Sequence, residues 1–405
     1  MAPRPLKNPL PTPARLDLSS LLGATAWDEF RRAFARREAI VREGTDAPHR
    51  LQPLWADWEL EAACRFTPVP HDERFRLLLR RKQIPVKTFT DRMGVFREDA
   101  FRQLRAAGAS VAFAGYENYS NSALALSRAL EVEFQLPVQV NVYLTPAGRQ
   151  GLGVHVDPHD VLVLQIQGTK DWDIYDAAAA GAAAAPRRVR LGWGGWLFLP
   201  KGTRHEVCNR GEVESVHFTV GFHPLTWGEV LQRALLRARV ATPGLNLPLP
   251  AHERVDADPE AMVRRLRAIL PFVDLPGFLA SYYADFPALA VPVPADALVP
   301  REVLEQAGPA TGWCWNGALT LAVDAAALPQ VTAPYRRFPL VLKHELGGVL
   351  TWMKSAPAFS AADVPLPDKA DGLLLCRFLA GVGVLRIVPN GATSTGDGGD
   401  QAGSG

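Results

Sequence analysis

The chain has 405 residues, of which 48% are hydrophobic and 21% are charged, and its formal net charge at pH 7 is +2. This length predicts two or three domains, and the near-neutral charge excludes a strongly basic nucleic-acid binder by composition alone. The four cysteines are widely spaced without a C-x-x-C pair, which argues against a structural zinc site or a disulfide framework, and no apolar run reaches the length of a membrane span. We therefore expect a cytoplasmic protein with no membrane partner.

The first third of the chain predicts helices with short strands between them. Trp27, Phe30 and Phe34 recur at helical spacing, which indicates one helix in that stretch. Further helices are expected over residues 98–107 and 121–134. The strands expected in this part are residues 39–41 and 110–113.

Residues 138–222 change to the pattern of short strands, which Gly, Pro or Asp interrupt. Many short strands with turn residues between them are typical of a sandwich or barrel. A low-complexity alanine run at 177–186 is expected to be a loop. The expected strands are residues 138–145, 160–167, 172–175, 189–191, 196–199 and 214–222.

A composition shift after Pro224 predicts helices followed by a small mixed domain. Apolar residues recur at helical spacing from Trp227 to Ala238, and Asp258-Pro259 supplies an N-cap and an N1 proline for a second helix. A third helical piece is expected over residues 277–286.

One histidine–aspartate pair and a distant histidine suggest a metal site. His155 and Asp157 stand at i and i+2, so that on a β-strand both side chains point to the same face. His205, from a distant strand, would complete a set of two histidines and one carboxylate, which leaves open positions on an iron for a chelating co-substrate and O2. The residues alone leave His159 and His217 open as rivals for the third position.

Four motifs in fixed order give this part of the chain a family resemblance. They are N-x-Y-L-T-P at 141–146, Q-G-x-x-x-H-x-D at 150–157, V-L-Q-x-x-G-x-K-x-W at 163–172 and F-x-P-x-G-T-x-H at 198–205. Each motif is common, whereas the ordered set is specific. The set resembles the JmjC-type oxygenases and, within them, the cupin-like ribosomal oxygenases.

The resemblance implies an oxygenase that uses Fe(II), 2-oxoglutarate as co-substrate and O2. It places the iron on His155, Asp157 and His205, and it places the distal carboxylate of 2-oxoglutarate on Lys170. An ammonium group can bind that carboxylate through a charge-assisted hydrogen bond. The other residues implied in co-substrate binding are Asn141, Tyr143 and His217.

The implied fold is mainly β with helices. Its core is a double-stranded β-helix of the jelly-roll or cupin type, followed by a helical dimerisation region and a winged-helix-like domain. Residues 301–393 hold eight Lys/Arg and seven Asp/Glu, too small an excess for many phosphate contacts, so nucleic-acid binding is not expected. The expected divisions are a catalytic domain with N-terminal helical decoration at 1–225, the helical region at 226–298, the winged-helix-like domain at 299–392 and a disordered tail at 393–405.

The expected activity is hydroxylation of a protein or peptide side chain, with release of succinate and CO2. The resemblance points to an arginine or histidine of a ribosomal protein, and it implies a homodimer. Three alternatives stay open. One is hydroxylation of an amino-acid-derived small molecule or a biosynthetic peptide, and another is a non-catalytic metal-binding cupin. The third is a cupin enzyme that uses another metal without 2-oxoglutarate, for which Lys170 would be dispensable.

Overall fold

The computed structural model describes most of the chain. The described residues are 18–44, 48–68, 74–80, 82–91, 96–149, 153–175, 185–242, 246, 260, 263–264, 267–268, 270–284, 299–324, 327–336 and 338–388. Within these ranges, no helix is both long enough and apolar enough to cross a bilayer. Most of the alanine run, the start of the helix predicted at Asp258-Pro259 and the tail at 393–405 lie outside the described residues.

The N-terminal elements cover the outer face of a β-domain and extend its larger sheet. They are α1 (Leu18–Leu22), α2 (Ala24–Arg36), β1 (Ile40–Arg42), α3 (Asp57–Phe66), β2 (Phe75–Leu79), β3 (Lys82–Gln83), α4 (Glu98–Ala106), β4 (Ser110–Phe113) and α5 (Asn121–Phe134). The ring of Phe30, on α2, lies 5.5 Å from that of Phe198 and 6.2 Å from that of Trp196. Burial of one such ring stabilises the folded state by about 1.5–3 kcal/mol. The aromatic residues that recur at helical spacing therefore hold α2 against the sheet.

Eight further strands form the core of the domain. They are β5 (Val138–Thr145), β6 (His155–Val156), β7 (Asp160–Gln167), β8 (Lys170–Tyr175), β9 (Arg187–Leu191), β10 (Trp196–Leu199), β11 (Arg204–Cys208) and β12 (Ser215–Phe222). The bounds of β5, β7 and β10 are those that the sequence pattern predicts. Strands β8 and β9 each begin two residues earlier than expected, because polar residues also take part in the ladder that joins these two strands.

The strands make two antiparallel sheets with a jelly-roll connection. The larger sheet has the order β1-β10-β7-β12-β5-β4-β2-β3, and the smaller has the order β6-β11-β8-β9. Apolar side chains from both sheets meet in one cluster, which includes Val163 and Leu197 from the larger and Trp172 and Val207 from the smaller. This arrangement confirms the predicted double-stranded β-helix.

Strand β12 shows how the sequence pattern places a polar site inside an apolar fold. Both of its faces are covered, so all eight residues are buried. Val216 and Phe218 point outward into the main apolar core, whereas His217 and Thr219 line a cavity between the sheets. The alternation of a β-strand therefore separates the two sets of side chains.

The region after the β-domain is helical and then mixed, as the composition shift predicts. Helix α6 (Trp227–Ala241) begins at Thr226, whose hydroxyl accepts a hydrogen bond from the Glu229 N–H in a capping box. The later elements are helices Leu275–Ala284, Arg301–Gln306, Gly347–Ser355 and Lys369–Gly381, and strands β13 (Gly312–Trp315), β14 (Thr320–Ala322), β15 (Gln330–Thr332), β16 (Leu340–Val341), β17 (Phe359–Ser360) and β18 (Leu385–Ile387). The winged-helix-like assignment of this last part stays a prediction.

Candidate metal centre

The three predicted metal ligands lie together at the smaller sheet. Each of His155, Asp157 and His205 offers one ligand atom, and these atoms all lie within 4.8 Å of one another. Strand β6 ends at Val156, so Asp157 follows the strand rather than belonging to it. His205 comes from β11, which pairs with β6. The fold therefore brings together residues that are about fifty positions apart.

Backbone carbonyls orient both imidazoles toward the carboxylate. His155 Nδ1 lies 2.8 Å from the Gly153 carbonyl oxygen, and His205 Nδ1 lies 3.0 Å from that of Thr203. A carbonyl only accepts hydrogen bonds, so each Nδ1 carries the proton and each Nε2 keeps its lone pair. The Nε2 atoms of His155 and His205 face Asp157 at 3.9 Å and 3.6 Å. Burial lowers the pKa of His205, which favours the neutral form that binds metals.

A buried carboxylate that the sequence analysis did not single out supports this centre. Asp160 accepts the backbone N–H of Lys201 at 2.6 Å and the guanidinium of Arg37 at 2.8 Å. The next residue, Gly202, donates its backbone N–H to the carbonyl of Asp157. Asp160 thus fixes the turn at Lys201 and Gly202, and this turn holds the backbone of Asp157. Its only sequence signal is an acidic residue at the first position of a buried strand.

A cavity between the two sheets begins at the three predicted metal ligands and reaches Lys170. Its empty volume, part of which is open to solvent, is about 510 Å³. Residues from both sheets line it, and they include every predicted co-substrate residue except Asn141. The lining residues are Leu78, Ser110, Val111, Tyr143, Thr145, His155, Asp157, Val161, Val163, Lys170, Trp172, His205, Val207, His217 and Thr219.

Lys170 is a buried cation without an ion pair among the residues that the structure describes. It is 1% exposed, and its ammonium donates a hydrogen bond to the hydroxyl of Thr145. Burial lowers the pKa of Lys170 to about 7. A buried charge is costly unless it is paired, so this end of the cavity is suited to a carboxylate. Thr145 is a partner that the sequence analysis missed, although it stands two positions after Tyr143 on the same strand.

Tyr143 and His217 form part of the cavity wall. Their rings stack at 5.0 Å with an interplanar angle of 6°. Burial, and then the charge of Lys170, lower the pKa of His217 well below its ordinary value, so this imidazole is neutral. Burial also raises the pKa of the Tyr143 hydroxyl. This part of the wall is therefore uncharged.

The structure places neither rival of His205 beside His155 and Asp157. His217 stacks on Tyr143, and the ring of His159 lies 4.2 Å from that of His223. Asn141 does not line the cavity. Its side-chain oxygen accepts a hydrogen bond from the backbone N–H of Gly115 at 3.0 Å.

The chain is similar to known oxygenases over this site. Residues 118–230 match the family described as JmjC domain. The bifunctional lysine-specific demethylase and histidyl-hydroxylase NO66 of Dictyostelium discoideum is 31% identical over 147 residues, which are 32% of this chain and 29% of that protein. Ribosomal oxygenase 2 of Mus musculus is 32% identical over 136 residues, which are 30% of this chain and 29% of that protein.

The matched segments therefore span about three tenths of the length of these relatives. Among solved structures, the ribosomal oxygenase YcfD of Escherichia coli, in complex with cobalt and succinic acid, aligns with 89% of this chain and 98% of its own. The identity is 17% and the TM-score is 0.43. Residues 118–230 of this chain therefore match the JmjC domain, and ribosomal oxygenases are among the proteins that the chain is similar to over this segment.

Proposed function

We propose that the protein is an Fe(II)- and 2-oxoglutarate-dependent oxygenase that hydroxylates a protein or peptide side chain. One observation carries this proposal. A single cavity has two histidines and a carboxylate at one side and, at the other, a buried lysine that has no ion pair within the described ranges. The first set suits Fe(II) with open coordination positions, and the second suits the distal carboxylate of a dicarboxylic co-substrate.

The residues fit both groups. His155, Asp157 and His205 would hold the metal, and Lys170 with Thr145 would hold the far carboxylate of 2-oxoglutarate. When bound, the metal and co-substrate supply the oxidising chemistry, with conversion of 2-oxoglutarate and O2 to succinate and CO2.

The chain's own contribution is orientation and exclusion of water. The Nδ1 contacts of His155 and His205 hold the two Nε2 atoms toward Asp157 before any metal binds, which is the usual way in which outer contacts tune a metal site. The apolar residues Val161, Val163 and Trp172 line the cavity and limit the access of water. The stacked Tyr143 and His217 add a neutral wall.

The substrate class is inferred from the relatives that match this domain. Two of them are named ribosomal oxygenase and histidyl-hydroxylase, so we infer that the target is an arginine or histidine side chain of a ribosomal protein. A cytoplasmic location agrees with this target and with the four cysteines, all of which are free thiols. The proposed divisions remain 1–225 for catalysis, 226–298 for dimerisation, 299–392 for the winged-helix-like domain and 393–405 for the tail.

A homodimer is part of the proposal because α6 leaves several large apolar side chains exposed. Trp227 is 77% exposed and Val240 is 85% exposed. Leu231, Leu235 and Leu236 lie between them and are also exposed. A two-fold interface would cover the same face in both copies.

Binding and turnover test this function directly. Fe(II) and 2-oxoglutarate should bind together under anaerobic conditions, and succinate should form when air is admitted. Ribosomal proteins from a deletion strain should lack the mass of one oxygen atom at the target residue. A metal-binding cupin without catalysis would bind the metal and release no succinate, whereas a small-molecule hydroxylase would leave every ribosomal protein unchanged.

A further inference from the structure

Arg336, in the C-terminal part of the chain, joins that part to the β-domain. It follows β15 and is 8% exposed. Its Nη1 donates a hydrogen bond to the Asn118 carbonyl at 2.9 Å, and its Nη2 donates one to the Val382 carbonyl at 2.6 Å. Burial lowers the pKa of Arg336 to about 10, so the group is still charged at neutral pH. One buried guanidinium therefore connects two carbonyls that are more than 250 positions apart in the sequence.

Two hydrogen bonds connect Asn118 to strand β5 through Gly115. The side-chain amide of Asn118 donates to the carbonyl of Gly115 at 3.0 Å. The backbone N–H of Gly115 donates to the side-chain oxygen of Asn141 at 3.0 Å. Gly115 has a φ of +70°, and a Cβ at this position would meet the Asn118 amide nitrogen at 3.3 Å. Gly115 and the Asn118 side chain are therefore closely packed. Because the Gly115 N–H donates to Asn141, the position of Gly115 determines where the Asn141 amide is held.

Asn141 does not itself line the cavity, but it lies on the same face of β5 as Tyr143 and Thr145 and is farther along the strand from Lys170 than either. Along the inner face of β5, Thr145 contacts Lys170, Tyr143 comes next, and Asn141 follows. Across the ladder, Asn141 pairs with Thr219, which lines the cavity. With the co-substrate carboxylate at the Lys170 end, the part of the cavity near Thr219, beside Asn141, is left for the reacting side chain.

We infer that Arg336 is a positioning residue for the substrate end of the cavity, acting through the Gly115–Asn118 turn on the Asn141 amide. This inference rests on the proposed function. It gives the C-terminal part of the chain a role in the active site. An arginine is required because its planar fork reaches two carbonyls at once, which a lysine ammonium on a flexible stem does not reproduce.

Hydrogen exchange at the Gly115 amide of the full-length protein tests this inference, because that amide donates directly to Asn141. In Arg336→Lys and Arg336→Gln, the Gly115 amide should exchange about tenfold faster, the change expected when one hydrogen bond is weakened locally. The amides of β13 and β18 should exchange as in the wild type, and the affinity for Fe(II) should stay within about twofold, since none of the three proposed metal ligands contacts the turn.

Arg377→Lys is the matched control. Arg377 also donates to two carbonyls, those of Glu305 and Ala307, but both belong to the C-terminal part. This variant should leave the Gly115 amide unchanged. Asn118→Ala removes the side-chain bond from Asn118 to the Gly115 carbonyl and keeps the backbone bond between the same two residues. In that background Arg336→Lys should have a smaller effect on Gly115 than in the wild type, a non-additive pair.

Three results would overturn the inference: unchanged Gly115 exchange in both Arg336 variants, an equal acceleration in Arg377→Lys, or additive effects of Arg336→Lys and Asn118→Ala. Should the lysine variant not fold, the glutamine variant, which keeps one donor, carries the comparison. A wild-type protein that binds neither Fe(II) nor 2-oxoglutarate would instead refute the proposed function, and the Gly115 measurement would still report on the link to Arg336.

Discussion

His205 of β11 lies directly opposite His155 of β6 in the antiparallel pair of the smaller sheet, and the two rings are 4.3 Å apart. Residues that face each other across a ladder point to the same side of a sheet. A metal held by both rings would therefore also join the two strands. The ladder places the ligands at a fixed separation, so the site does not depend on a flexible loop for this pair.

Removal of a proposed ligand should abolish metal binding. In His205→Ala and Asp157→Ala, we expect the dissociation constant for Fe(II) to rise by more than about 100-fold, since changes in the outer contacts alone cost 10–100-fold. Anaerobic titration measures this, and succinate release should cease. His217→Ala is the control and should still bind Fe(II). Metal binding that survives in His205→Ala and is lost in His217→Ala would mean that the third ligand is misassigned.

Removal of the buried ammonium should weaken 2-oxoglutarate binding and leave the metal in place. In Lys170→Ala, the co-substrate carboxylate would be buried without its partner, which costs about 3–5 kcal/mol. We therefore expect its dissociation constant to rise at least 100-fold, measured by calorimetry with the metal present. Lys201→Ala, at an exposed position, should bind as the wild type does. An unchanged affinity in Lys170→Ala would assign the carboxylate to another group.

The affinity for 2-oxoglutarate should fall as the pH rises above about 7. Burial lowers the pKa of Lys170 to about 7 in the free protein, and the carboxylate binds only its protonated form. Below that pH the lysine is already charged, so its contribution to binding is constant. Above it, each pH unit should weaken binding about tenfold until the pKa of the complex is reached. Lys170→Arg, always charged, should lose this dependence, and a flat wild-type profile between pH 7 and 9 would contradict the prediction.

Loss of the Asp160 carboxylate should weaken metal binding without removing a ligand. Asp160→Ala leaves the Lys201 N–H without its acceptor and frees the turn next to Asp157. We expect Fe(II) affinity to fall about 10–100-fold, as for other outer contacts. Arg37→Ala should have a small effect, because the Arg37 side chain is 55% exposed and exposed ion pairs contribute about 0–1 kcal/mol. Equal Fe(II) titration curves for Asp160→Ala and the wild type would exclude this supporting role.

The exposed apolar side chains of α6, Leu231 and Leu235 among them, should mediate dimer formation. Leu231→Glu and Leu235→Glu should convert a dimer into a monomer at micromolar concentration, since each would bury a charge at a two-fold interface. Light scattering on the full-length chain measures this. Gln232→Glu, at an exposed position on the same helix, should remain dimeric. A wild-type monomer would refute the dimer and leave the metal centre unaffected.

Local patterns in the sequence determined the strands and the candidate chemistry. The ends of β5, β7 and β10 follow from alternating or continuous apolar residues between turn formers, because the direction of a side chain in a strand is a local property. The pairing of His155 with Asp157, and the position of Lys170 after a Gly-Thr turn, could be predicted because they too depend only on neighbouring residues. What they bind remains a prediction.

Only the tertiary structure decided which of these side chains meet, and what holds them in place. The Nδ1 contacts of the histidines, the support of Asp160 for the turn after β10, and the bond from Arg336 to Asn118 leave no periodic signal in the sequence. Arg336 and Asn118 are 218 positions apart. The contacts of Asp160 and Arg336 depend on how whole sheets and domains pack, and a local pattern does not encode that packing.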